Sequence, residues 1–249
     1  MTTTTPILEV NAVSRYFGKF QALTNVSVKF IPGELTAIIG PNGAGKSTFF
    51  NVISGGIAPS TGTVRFEGQD ITALAQHDYA RIGIAKSFQI TNVFKQLSAH
   101  ENVRVSLQMK AARFQIFKSR QSYVELIERA DALLARVGLA DSRNKLAGDM
   151  AHGQQRSLEV AMALACEPKL LLMDEPTAGM SPQETAVMMD LILQLSAERT
   201  VILVEHKMKM VMGLCKRLIV LHHGELLAEG NPEEIRSNAE VRRVYLGKN

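Results

Sequence analysis

The sequence predicts an α/β fold: a mostly parallel sheet wrapped by helices, with an N-terminal antiparallel β subdomain and an inserted α-helical subdomain. Three observations carry this. Apolar runs alternate with helical stretches over residues 169–222, the order in which βαβ units build a parallel sheet. Short strand-like runs dominate the first third instead, with a Pro32-Gly33 turn between two of them. From about residue 98 to residue 147 the periodicity is helical and no strand signal interrupts it. At 249 residues and 46% hydrophobic, the chain is long enough to bury a sizeable core.

The elements follow in order. Residues 7–13 and 26–30 read as strands. Leu35–Ile39 is apolar throughout, as suits a strand covered on both faces. Gly62 and Gly68 bracket a strand and turn over 63–71, and a short strand over 84–88 ends at Gln89. Residues 101–112 and 122–137 read as helices, with Gly138 as a stop. Then come strand 169–173, helix 182–197, strand Thr200–Val204, helix 207–215 and strand 218–222. A hairpin turning at His223-Gly224 into 226–229 and two short helices close the chain.

With 28 basic against 24 acidic residues, the net charge of +4 leaves no nucleic-acid footprint. The two cysteines, Cys166 and Cys215, read as packed thiols of a reducing compartment. No apolar run approaches the roughly 20 residues of a membrane span, and residues 1–6 lack the regions of a signal peptide. The expectation is a cytoplasmic protein whose membrane role, if any, comes through a partner.

Directly after the strand Leu35–Ile39 stands Gly40-Pro41-Asn42-Gly43-Ala44-Gly45-Lys46-Ser47-Thr48, a full match to the phosphate-cradling loop. Its glycines let the backbone turn several N–H groups onto one anion. The following helix, about 46–54, aims its positive dipole end at the same point. Lys46 can reach the β- and γ-phosphates, and the Ser47 hydroxyl can ligate Mg²⁺.

Four apolar residues, 170–173, lead into Asp174-Glu175-Pro176. Asp174 suits Mg²⁺, and Glu175 suits the polarisation of an attacking water. Beside an intact cradle this reading outweighs a mere strand cap. Glu205-His206 follows Thr200–Val204, and ligands in open α/β sheets gather at that C-terminal edge. His206 is placed to sense the γ-phosphate, although a lone histidine there reads more often as a polar strand-end residue. Gln89 offers an amide for Mg²⁺ or water, and Phe17 reads equally as an adenine stacker or a core aromatic.

Met150-Ala151-His152-Gly153-Gln154-Gln155-Arg156 lies just upstream of the Asp174 strand. With this segment the chain resembles the ABC ATPase family over essentially its whole length. The resemblance implies a P-loop NTPase (RecA-like) core divided as 1–95, 96–152 and 153–249, the middle part being the helical signature subdomain. It implies ATP and Mg²⁺ as cofactors and catalytic roles for Glu175, His206, Lys46 and Gln89. It gives Phe17 the role of adenine stacker, and makes Ala151, His152, Gly153 and Gln154 a signature that meets the ATP held by a partner. Met150, Ala151 and His152 depart from the usual Leu, Ser and Gly, so the hydroxyl of a serine is missing. Ser181 likewise stands where the family usually has Asp.

The A-x-G-Q-Q-R form of the signature, Ser87-Phe88-Gln89 and the C-terminal segment 241–247 look like Liv-type subunits, which serve importers of branched-chain amino acids and related amides. The implied partners are integral membrane permease subunits, a second ATPase subunit identical to this chain or paralogous, and indirectly a solute-binding protein. The implied location is the inner face of the cell membrane, through the permease. Urea import, lipopolysaccharide export and a soluble non-transport role are the alternatives within the family. Residues 90–97 are the expected permease contact, although Val93, Phe94 and Leu97, apolar in a surface loop, read equally as a docking face or as a hydrophobic cluster under that loop.

Overall fold

The computed structural model describes residues 5–87, 93–111 and 120–247. The N-terminal strands run further than the sequence suggests. β1 (Leu8–Phe17) and β2 (Phe20–Phe30) are antiparallel partners that turn at Gly18 and Lys19. Register shifts between Val10 and Tyr16, with Ala12 and Asn25 at positive φ, interrupt the period-2 alternation. That interruption is why only parts of both strands are legible in the sequence. β4 (Thr61–Phe66) pairs with β1 and turns through Glu67 and Gly68 into β5 (Gln69–Asp70). Both turn residues have positive φ, 48° and 81°, as a tight hairpin demands. The expected strand and turn over 63–71 are thus present, with the short return strand β5 added, and the sheet order is β2-β1-β4-β5.

The second sheet comprises β3 (Leu35–Ile39), β6 (Ile84–Ser87), β7 (Leu170–Asp174), β8 (Thr200–Val204), β9 (Arg217–His222) and β10 (Glu225–Gly230). Its order is β10-β9-β3-β8-β7-β6, parallel except for the edge pair β9–β10. Phe88, the last residue of the expected strand over 84–88, lies outside the described residues.

The helices are α1 (Lys46–Ile53), α2 (Gln76–Ile82), α3 (Ala99–Ala111), α4 (Arg120–Arg136), α5 (His152–Leu164), α6 (Pro182–Ser196), α7 (Met208–Leu214), α8 (Pro232–Ser237) and α9 (Ala239–Val241). The short α2 carries no periodic signal and is not legible in the sequence. α3 starts ahead of its apolar periodicity because Ser98 and Glu101 cap it reciprocally: Ser98 Oγ accepts from the Glu101 amide at 3.2 Å, and Glu101 Oε2 from the Ser98 amide at 3.0 Å. Gly138, at φ 73°, stops the chain after α4 as expected.

Period-2 alternation along β7 divides the core. Leu171 and Met173 join a cluster with Leu158 of α5, Ile192 and Leu195 of α6, and Val103 and Leu134 of the helical insert. Leu170 and Leu172 face the other way, toward Phe49 and Phe50 of α1 and Val10 and Phe30 of the antiparallel sheet. The parallel sheet is thus the middle layer, and each fully buried leucine in it contributes roughly 1.5–3 kcal/mol. That packing fixes the C-terminal ends of β3, β7 and β8, where the candidate site lies. α5 begins at His152, so a division between 152 and 153 falls in its first turn. Among the described residues no helix is long and apolar enough to cross a membrane.

Candidate active site

All five positions of β3 are buried, and the chain leaves it through a sharp turn. Gly40 permits that turn, because a Cβ there would run into the Leu221 carbonyl oxygen. Gly45 is the N-cap of α1 at φ 93°, and a Cβ on it would stand 2.8 Å from the Ala22 carbonyl oxygen. No side chain caps α1, so its first-turn N–H groups and dipole face the loop interior. Lys46 Nζ donates to the carbonyls of Gly40 at 2.8 Å and Pro41 at 2.9 Å. Burial lowers the Lys46 pKa, and the charges of Glu175 and Asp174 pull it back up.

β7 ends on Asp174, which is buried. Burial raises its pKa. The Lys86 charge opposes that shift, Glu175 adds to it, and Arg156 and His206 oppose it. Glu175 then adopts a left-handed φ of 46°, uncommon outside glycine, and its amide donates to the Val204 carbonyl at 2.9 Å. The end of β8 supplies the opposite wall. Glu205 is buried and accepts from Thr177 Oγ1 at 2.5 Å, the Thr177 amide at 3.3 Å and the His206 amide at 3.0 Å. It clamps the loops after β7 and β8 together, and His206 Nε2 stands 2.6 Å from Glu175 Oε1.

A cavity of about 430 Å³ results, lined by Asn42, Gly43, Ala44, Gly45, Lys46, Ser47, Thr48, Glu175, His206, Phe20 and Ala22. Gly40 and Pro41 lie behind it and hold Lys46. Of the expected residues, Asp174, buried at the end of β7, does not line the cavity, and neither does Phe17. Phe17 is 46% exposed, so it is no core aromatic, and the Arg15 guanidinium lies 4.8 Å from its ring centre. Phe20, its cross-strand partner, lines the cavity instead. Gln89 lies outside the described residues, as do residues 90–92. Ala151, His152, Gly153 and Gln154 are not among the lining residues; they form the start of α5.

Sequence reasoning missed Phe20, Glu205 and Lys86. Phe20 belongs to a hairpin whose alternation is broken, and Glu205 acquires its role only through Thr177. Lys86 Nζ donates to Asn51 Oδ1 at 2.9 Å and lies 4.9 Å from the Phe50 ring centre, where its charge acts on Asp174. In the expected permease-contact loop, Val93 is buried in the larger core cluster, which decides for the cluster under the loop over the docking face at this residue. Phe94 is 53% exposed, its amide and carbonyl both held by Asn102 at 2.8 and 3.1 Å.

The Ser47 hydroxyl and the Asp174 carboxylate are oxygen donors of the kind a hard cation takes. Mg²⁺ binds through one or two such groups and completes its shell with phosphate oxygens and water. An uncapped helix start beneath a glycine-rich loop, a buried lysine, and carboxylates at the C-terminal edge of a parallel sheet define a phosphate-loop nucleotide-binding protein.

The "ABC transporter" family model matches residues 23–178, and the "Branched-chain amino acid ATP-binding cassette transporter" model matches residues 225–249. The chain belongs to the ABC transporter ATP-binding family, whose members are ATPases. It is 38% identical to the high-affinity branched-chain amino acid transport ATP-binding protein LivG of Escherichia coli K12, over 98% of each chain. It is 34% identical to the lipopolysaccharide export system ATP-binding protein LptB of Acidithiobacillus ferridurans, over 97% of each. Among solved structures, an ATP-binding cassette of an ABC transporter in its ADP conformation superposes with a TM-score of 0.85 at 30% identity, covering 98% of this chain and 100% of that one. A dimeric, post-hydrolysis cassette bound to ADP and Pi gives 0.78 at 28%, covering 90% and 98%.

Proposed function

We propose that the chain binds ATP with Mg²⁺ in this cavity, hydrolyses it within a head-to-tail dimer, and so drives a separate membrane permease that imports branched-chain amino acids or related amides. The contact between Glu175 and His206 over the cradle carries the hydrolytic part of this reading. Glu175 polarises the attacking water, and His206 orients that carboxylate and meets the γ-phosphate. Lys46 leaves the Gly40 and Pro41 carbonyls for the β- and γ-phosphates. Ser47 and Asp174, with Gln89, would hold Mg²⁺, which would supply neutralisation of charge on the phosphates. Phe20 and Phe17, on opposite arms of one hairpin, are the aromatic surface available to the base.

The dimer is supported by the segment 150–154, which lies away from the chain's own cavity and so serves a partner's. Both chains then contribute to each of two ATP sites. Closure on ATP and release after hydrolysis is the differential free energy that biases a membrane partner between its two facings. The partner ATPase is a second copy of this chain or a paralogue. The permease would bind at Phe94 and hold the chain on the cytoplasmic face of the membrane, while a solute-binding protein selects cargo.

The cargo class is supported by the LivG likeness and the C-terminal family match, against weaker likeness to the lipopolysaccharide-export protein. The test is transport by proteoliposomes holding the co-purified permease. ATP-dependent leucine uptake is the expected result. Intact ATPase activity with no amino-acid or amide uptake would overturn the cargo, and absence of ATPase activity would overturn the whole reading.

A further inference from the structure

α5 starts without a cap of its own. Its N-cap residue is Ala151, whose methyl accepts no hydrogen bond, although a helix start leaves several N–H groups without intrahelical partners. Gln154 Oε1 reaches back to the Ala151 amide at 3.2 Å, which serves the residue before the helix and none within it. The amide of Gln155, bonded to the Ala151 carbonyl at 2.9 Å, begins the helical ladder.

A carboxylate from a different helix stands against that start. Glu184, in the first turn of α6, sets its carboxylate against Gly153, so that a Cβ at 153 would run into Glu184 Oε1. Oε2 of the same carboxylate accepts the Ser181 amide at 2.9 Å, while Ser181 Oγ accepts the Glu184 amide at 3.2 Å. The Ser181 hydrogen bonds lower the Glu184 pKa; burial opposes them, and the nearby Gly153 amide and His152 charge act with Ser181. Alongside, a Cβ at Gly179 would lie 3.4 Å from His152 Cε1, so the loop leading into α6 packs closely on the start of α5. One carboxylate stands at the starts of two helices.

We infer that Glu184 is the positioning residue of the 150–154 loop: it caps α5 from outside and ties that loop to the segment 175–181, which begins at Glu175. The dimer part of this inference rests on the function proposed above. The loop offered to the partner's ATP and the carboxylate serving the chain's own ATP then shift together.

The experiment uses full-length chains carrying Glu175→Gln and measures the ATP concentration that half-saturates dimerisation. Adding Glu184→Ala should raise it about five- to tenfold, the size of one lost helix cap, with ADP affinity unchanged. Ala151→Ser supplies a local oxygen. It should therefore lower the ATP requirement more in the Glu184→Ala background than in the parent, a non-additive pair. An unchanged or lowered ATP requirement in Glu184→Ala overturns the inference, a lowered one meaning that the carboxylate competes with phosphate for Gly153. Additive effects overturn it as well. Failure of Glu175→Gln alone to dimerise with ATP counts against the proposed function instead. In that case amide exchange at Gly153 decides the capping role: faster exchange in Glu184→Ala supports it and unchanged exchange sinks it.

Discussion

His206 Nε2 lies 2.6 Å from Glu175 Oε1 although the two residues are 31 positions apart. The contact exists because β7 and β8 run parallel in register, Asp174 opposite Val204, so that both residues leave the sheet at the same edge. Replacing Glu175 by Gln keeps the shape and removes the proposed base. Turnover should fall roughly 10²- to 10⁴-fold while ATP still binds, and size-exclusion chromatography with ATP should show a trapped dimer. Normal steady-state hydrolysis in this variant would remove Glu175 from the mechanism.

Lys46 is held by two carbonyls at 2.8 and 2.9 Å. Lys46→Ala should weaken ATP binding roughly ten- to a hundredfold, the worth of a charge-assisted hydrogen bond to phosphate. Equilibrium binding of a fluorescent ATP analogue measures it, and unchanged affinity would count against the cradle.

Asp174 gives a pH-dependent stability signature. Burial raises its folded-state pKa above the unfolded value, so the ionised carboxylate costs stability above the folded pKa. That cost shrinks as pH falls below the folded pKa and is gone below the unfolded value. Without nucleotide, Asp174→Asn should therefore melt above the parent at neutral pH, and the gap should close on acidification. The same variant should lose the stabilisation that MgATP gives the parent. A gap that widens in acid would refute the sign.

Phe20 lines the cavity, whereas Phe17, its cross-strand partner, is stacked under Arg15. Phe20→Ala should raise the ATP dissociation constant roughly three- to tenfold, the worth of an aromatic contact, and Phe17→Ala should raise it less. The reverse order would return the base to Phe17.

Phe94 is exposed on a turn whose backbone Asn102 fixes on both sides. Phe94→Glu should leave basal ATPase activity intact and abolish transport in permease-containing vesicles. Transport at parental rates would rule Phe94 out of the docking face.

The cradle at 40–48 was legible in the sequence because its chemistry is local. Glycine conformations, a helix start and a lysine reach one anion within nine consecutive positions, and no distant contact is needed. The buried strands Leu35–Ile39 and Thr200–Val204 were legible for the same kind of reason, being apolar without interruption. The N-terminal hairpin was only half legible, since bulges between Val10 and Tyr16 erase the alternation that marks a strand. Tertiary structure alone decided the rest. Phe20 enters the cavity through a hairpin, Glu205 clamps Thr177 through sheet register, and Glu184 meets Gly153 because the starts of two helices converge. Each of these contacts joins segments whose proximity is set by packing against a shared core, and no local pattern of residues encodes that proximity.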